Sequence, residues 1–365
     1  MPMSSLRSVG ALLVAAIAAP VVVVAQKPQH TKVGKAEVEL EEPFDAIGAI
    51  RELRDGRLIV VDVNAKTLSL VNLAHGTATP IGREGQGPKE YRFPAGLLPL
   101  PGDTTLVIDA MQQRFLRLNP DGTPVDVIPI PSGMQFFSGM LTDRAGRIYA
   151  QGNPSTSGNQ GRDSLPVLRW DRAKKTTDTL AWVAGQLTVP KKFGSFTTAF
   201  PVLFSGQDVW SVAPDGQLGI ARLADYHVEW VGGAQRVTGP AIPYERVKVT
   251  DKEKEQIRAV KPKASVVIGL PSGAMPALPA IPQPDIADYK PPFDRAMVAP
   301  DSLLWIERAT TNGAAVYDVI DRQGRLVRQV ELPPKTRLIG FGAHTLYLAR
   351  SDDDGLQRIG RYRWS

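Results

Sequence analysis

The stretch Ala95 to Leu100, Pro101-Gly102-Asp103, Leu106-Val107-Ile108-Asp109, Phe115-Leu116-Arg117-Leu118, Asn119-Pro120-Asp121-Gly122 carries no helical period. It reads as three short strands joined by tight turns. Asp-Gly and similar pairs supply the positive φ that such turns require. The middle strand is apolar on both faces, which fits a strand covered on both sides. The same order returns five more times. One copy has Leu58-Ile59-Val60-Val61-Asp62 after the Asp55-Gly56 turn, then Leu68 to Val71. Another runs from Phe137 to Thr142, through Arg147 to Ala150, to Val167 to Trp170. The next has Val209 to Val212, Leu218 to Ala221 and His227 to Trp230. The last two run from Ala296 through Leu303-Leu304-Trp305-Ile306 to Val319, and from Leu338 through Leu346 to Ala349 to Trp364.

Six units that each bury both faces of a small sheet predict an all-β fold, a six-bladed β-propeller with four-stranded antiparallel blades. Pro124 to Ile130 and Leu326 to Glu331 supply fourth strands locally. The sixth unit runs out of chain at Ser365, so Ala36 to Glu41 is expected to close it as its outer strand. Long insertions in the third unit leave five or seven blades open. Residues 184 to 200 read as a long connection. Residues 250–292 read as a Pro-rich insertion, opened by a helix-capping box at Thr250 and Glu253. A loop of that length points to a lid or contact arm over one face. The propeller is expected over 36–365.

The 365 residues include 33 Gly, 31 Pro and no Cys, at a formal net charge of +6. Without cysteine there are no disulfides, no thiol chemistry and no Cys-ligated zinc. The positive excess is spread along the chain, and no nucleic-acid motif accompanies it, so no nucleic-acid partner is expected. Arg7 followed by the apolar run Ala11 to Val24 and by Ala25 reads as a signal peptide over 1–25. Pro20 and the short run argue against a spanning anchor, so no transmembrane segment is expected after cleavage. Cleavage removes Arg7 and takes the charge from +6 to +5. The expected product is an exported, periplasmic or extracellular monomer.

Gly82-Arg83-Glu84-Gly85-Gln86-Gly87-Pro88-Lys89-Glu90-Tyr91-Arg92-Phe93-Pro94-Ala95-Gly96-Leu97 resembles the inter-blade junction of NHL-type propellers. Pro292-Phe293 through Trp305-Ile306-Glu307 looks like a later blade of the exported bacterial six-bladed propellers, NHL-like or TolB-like, that share this junction. The resemblance implies fold and compartment, and no defined biochemistry.

Two functions follow as expectations. The first is a scaffold that binds a protein, peptide or glycan without catalysis or cofactor. Its candidate ligand residues are Arg83, Glu84, Tyr91, Arg92 and Arg114 at the junction, with Glu307 on a second strand; the bland alternative is a solvated rim of local ion pairs. The second is a metal-dependent hydrolase or lyase, by distant likeness to gluconolactonase and paraoxonase propellers, which carry calcium in the channel. Asp62 and Asp109 are its candidate metal ligands, with Asn64 and Glu307 nearby; Asp at a strand end also caps turns. His30, His75, His227 and His344 pair with no base motif. His30 reads as part of a disordered N-terminus. Ser138-Gly139 and Ser205-Gly206 lack a nucleophile elbow.

Overall fold

The computed structural model describes residues 28–153, 161–194, 196–259 and 282–363. The expected leader, 1–25, and the middle of the Pro-rich insertion, 260–281, lie outside them.

Two strands precede the first blade, β1 (Gln29–Lys32) and β2 (Val38–Glu39). Blade one is β3 (Ile47–Glu52), β4 (Leu58–Asp62), β5 (Thr67–Asn72) and β6 (Thr77–Pro80). Blade two is β7 (Pro94–Pro99), β8 (Thr105–Asp109), β9 (Arg114–Leu118) and β10 (Pro124–Pro129). Blade three is β11 (Met134–Thr142), β12 (Ile148–Gly152), β13 (Gly161–Asp171), β14 (Thr176–Phe193) and β15 (Phe196–Pro201). Blade four is β16 (Val209–Val212), β17 (Leu218–Arg222), β18 (His227–Val231) and β19 (Val237–Thr238). Helix α1 (Asp251–Ala259) follows. Blade five is β20 (Phe293–Val298), β21 (Leu304–Arg308), β22 (Val316–Ile320) and β23 (Leu326–Glu331), and blade six is β24 (Thr336–Phe341), β25 (Thr345–Ser351) and β26 (Gln357–Arg363).

Each blade is an antiparallel meander. First strands of successive blades approach one another and surround the axis. Second strands carry the core: every residue of β4 and β8 is buried. Six apolar clusters lie between successive blades, and one of them joins blade six to blade one through Tyr347, Ile359, Leu58 and Val60. The ring is therefore closed. Its tight turns need glycine where expected: Gly216 sits at φ +89°, and a side chain there would run into Tyr149 and Arg147.

Closure goes further than the sequence reading. β2 pairs with β26 as the outer strand of blade six, within the stretch expected to do so. β1 adds in parallel to β23 as a fifth strand of blade five. His30 is thus on a strand, 3.5 Å from Glu331, and not in a disordered tail. A second correction concerns residues 184 to 200. They are not a connection: β14 runs for 18 residues and turns back as β15, so that blade three also has five strands.

First strands start, and second strands end, on one face of the ring, since Ile47 pairs with Asp62 and Pro94 with Asp109. Links from each fourth strand to the next blade return to that same face. The 250–292 insertion therefore leaves from it. Its described ends are tied down. Thr250 Oγ1 accepts the Glu253 N–H at 3.2 Å, and the Glu253 carboxylate accepts the Thr250 N–H at 2.8 Å. Lys290 reaches Glu253 at 2.7 Å, and Ile286 bridges to Leu203 beside β15. The Lys290 ammonium, then the Thr250 donors, hold the Glu253 carboxyl down from the ordinary 4.5 to about 2. A depressed carboxyl stabilises its fold above its unfolded pKa and ceases to as pH falls through its folded one. Acidification from pH about 4.5 to about 2 is therefore expected to loosen these ends. Lower amide protection factors at Val249 and Lys290, taken against the unstructured rate at each pH, would register it, and Glu253→Gln would abolish the pH step; equal steps in both proteins would refute it.

Candidate ligand site at the channel mouth

The junction residues come together as a clamp on the chain between blades one and two. Arg114 Nη2 donates to the carbonyls of Gly87 at 2.8 Å and Glu90 at 2.9 Å, and Arg114 lies 3.6 Å from Asp109. Arg83 Nε pairs with Glu90 at 2.8 Å. Tyr91 is buried, and its hydroxyl accepts the Leu68 N–H at 3.2 Å; burial raises its proton affinity. Glu84 bridges to Tyr91 through backbone and is exposed, as is Arg92, whose N–H goes to Asp109 at 3.3 Å. Glu307 stands apart from this group, in blade five.

Asp62 and Asp109 terminate neighbouring second strands, and both are buried. Asp62 accepts N–H groups of Asp45, Ala46, Asn64 and Ala65 at 2.7–3.2 Å. Asp109 accepts N–H groups of Arg92 and Phe93 and the Gln112 amide. These carboxylates hold each incoming junction against the end of a second strand. Their donor set suits amides better than a cation that needs six or more oxygens. Among the described residues no group of three or more His, Asp or Glu side chains is arranged to share an ion.

The concave site lies elsewhere, along the channel: its lining runs from Gln207 and Asp294 at this face to Leu141 and Met297 near the far ends of their strands. A cavity of about 330 Å3 opens between the first strands of blades three to six. Leu141, Trp210, Met297 and Leu338 form its apolar wall, and Gln151, Gln207, Asp294 and Arg295 its polar one. Trp305 and Tyr317 close it on the blade-five side. Arg295 Nε and Nη2 donate to one oxygen of Glu307 at 2.9 and 2.5 Å, and the Tyr317 hydroxyl donates to the same oxygen at 3.0 Å. Burial, then the Glu307 charge, pushes the Tyr317 phenol well up. For Arg295, burial works against the proton, but Glu307 and Tyr317 outweigh it and raise the affinity. Asp208, also on the wall, has both oxygens occupied by Ala184, Leu223 and Arg222. A half-apolar pocket with a few fixed polar groups is the usual geometry of a small-ligand site.

Glu307, one of the sequence candidates, thus supports this site from behind. The residues that face the cavity were missed. Sequence patterning started the fifth unit at Ala296, whereas β20 begins at Phe293, with a register shift between Phe293 and Ala296. Two adjacent charges at the start of an inner strand, Asp294-Arg295, were the available signal. Trp210 was read only as a strand residue.

No family model matches the chain, and no curated protein matches it. Solved structures do resemble it. A Bacteroides fragilis protein provisionally assigned as exported aligns with TM-score 0.52 and 12% identity, over 92% of this chain and 99% of that one. A Bacteroides vulgatus protein of the duf4221 family aligns at 0.50 and 9%, over 90% and 97%. A gluconolactonase from Xanthomonas campestris aligns at 0.47 and 11%, over 92% and 96%. At such identities the likeness carries the fold alone: a six-bladed propeller. No helix among the described residues is long and apolar enough to cross a membrane.

Proposed function

We propose that the chain is an exported, monomeric binding scaffold whose ligand is a glycan seated at the channel mouth. The observation that carries this reading is the cavity of about 330 Å3 with Trp210 on one side and the Gln151, Gln207, Asp294 and Arg295 groups on the other. Its size suits one or two sugar rings. Sugars present apolar C–H faces and polar rims together, which is the combination this wall offers. At the junction, by contrast, Arg114 is engaged with backbone carbonyls and Arg83 with Glu90. Export rests on the leader-like residues 1–25.

A glycan array probed with the mature chain and with Trp210→Ala tests the proposal. Retention of saccharides by the parent, weakened by about ten-fold or more in the variant, is expected for a stacking aromatic at a ligand. Identical retention by both proteins, or none by the parent, would overturn it.

A further inference from the structure

The charges behind this cavity do not balance side for side, and the imbalance bears on what enters it. A guanidinium has five N–H donors in a planar fork. Arg295 places two of them, Nε–H and one of Nη2, on a single oxygen of Glu307. The same oxygen receives the Tyr317 hydroxyl, so Glu307 grips Arg295 along one edge only. Its other edge, Nη1 with the remaining Nη2 donor, belongs to a side chain that is 43% exposed and lines the cavity. A second guanidinium lies close by. Arg337 donates to the carbonyl of Ile47 at 2.8 Å, and burial, then the positive charge of Arg295, depresses its proton affinity. Two cations, the partly exposed Arg295 and the half-buried Arg337, thus lie within reach of the charge of one carboxylate. The other acids near the cavity do not correct this. Asp208 is saturated by its own donors. Asp294 stands at the rim, 82% exposed and 4.0 Å from Arg295, where water screens it.

We infer that the cavity takes a sugar ring bearing a carboxylate, which docks on the unoccupied edge of Arg295 while Trp210 flanks the ring. A planar carboxylate matches the two parallel N–H groups of that edge. Pre-set by Glu307 and Tyr317, the guanidinium loses little freedom on binding. Asp294 opposes the same charge from the rim and moderates the affinity. This inference rests on the proposed function above and narrows its ligand class.

Calorimetric titration of the mature chain with galacturonate and with galactose, which differ at one carbon, tests it. A charge-assisted bidentate contact predicts a preference for galacturonate of about ten-fold or more. Arg295→Gln should erase that preference. Asp294→Asn, at an exposed position that the fold does not depend on, should widen it several-fold, so that a misfolded Arg295 variant would leave the idea open to refutation. Equal affinity for both sugars, lost together in Trp210→Ala, would overturn the acidic-ligand inference and leave the cavity reading standing. A preference that survives Arg295→Gln would also overturn it. Failure of the parent to bind either sugar would sink both.

Discussion

Asp318→Ala is expected to lower the free energy of unfolding by about 3–5 kcal/mol, as removal of one partner from a buried ionic network does. The Asp318 carboxylate is fully buried on β22. It accepts the Tyr226 hydroxyl at 2.5 Å, Arg308 Nε at 3.0 Å and Gln329 Nε2 at 2.8 Å. These donors come from blade four and from the second and fourth strands of blade five. Arg308 also donates to Pro243 at 2.9 Å, on the link that leaves blade four. Alanine would leave the buried Tyr226 phenol without its acceptor and would take one acceptor each from the half-buried Arg308 and Gln329, with the attendant desolvation cost. Burial, then the Asp318 charge, drives the Tyr226 phenol far above its usual range, so the phenol stays a donor at any working pH. Urea denaturation of the mature chain measures the loss. Amide exchange at Ile242, which is bonded to the Tyr226 carbonyl at 2.7 Å, reports whether the blade four–five seam opens first. Asp318→Asn keeps the shape and one acceptor oxygen and should recover part of the difference. A change below about 1 kcal/mol for alanine would mean that water enters and replaces the carboxylate.

The same chemistry recurs around the ring. Tyr149 donates to Asp143 at 2.8 Å, Tyr347 to Glu52 at 2.9 Å and Tyr317 to Glu307 at 3.0 Å. Tyr347 and Glu52 join blade six to blade one, as Tyr226 and Asp318 join blade four to blade five. The Tyr317–Glu307 pair lies within blade five and the Tyr149–Asp143 pair within blade three, where the Tyr149 hydroxyl also reaches the Gly216 carbonyl of blade four at 3.3 Å. A rigid ring without disulfides has to fix the rotation of one sheet against the next. Apolar clusters resist separation but slide; a short directional bond resists sliding. The Tyr317 bond, inside blade five, also places Glu307 behind Arg295.

Six units were legible in the sequence because double-faced apolar runs such as Leu58 to Val61 and Leu304 to Ile306 have no other stable home than between sheets. Gly-bearing turns marked their ends. Other features were not legible, for identifiable reasons. β14 alternates polar and apolar residues weakly and contains Pro190, so that Ala184 to Phe200 looks like a loop until its hairpin partner is known. β1 is a run of exposed polar residues, Gln29 to Lys32, whose strand state derives from the open edge of β23 and not from its own composition. The cavity residues escaped because contact among blades three to six joins positions from Gly139 to Leu338, and no local spacing encodes that juxtaposition. The junction drew attention for the opposite reason: its glycines and charges are contiguous, yet Arg114, Glu90 and Asp109 largely bond to their own chain.

Leu40→Ala is expected to destabilise the ring by about 2–5 kcal/mol, the range for deleting a well-packed leucine side chain. Leu40 is 1% exposed and packs with Tyr347, Ile359, Leu58 and Val60, that is, with the last and first blades at once. Its N–H donates to the Ile359 carbonyl at 2.9 Å. Just before it, Glu39 grips Arg350 and Glu37 pairs with Arg361 and Arg363. A two-residue strand contributes little through its ladder alone, so the buried leucine is what seats it. The neighbouring closure is of a different kind. β1 is mostly exposed, and Lys32 meets Glu331 at the surface at 3.0 Å, so Lys32→Ala should cost no more than about 1 kcal/mol. Paired urea titrations of the two variants separate the closures. If Leu40→Ala proved as mild as Lys32→Ala, the ring would owe its integrity to the inter-blade clusters alone. Native-state exchange adds a spatial readout. Loss of the latch should deprotect the amide of Gln357, which donates to the Phe44 carbonyl at 2.8 Å on the bared edge of β26, well before the second strands, because an unpaired edge opens locally before the core does.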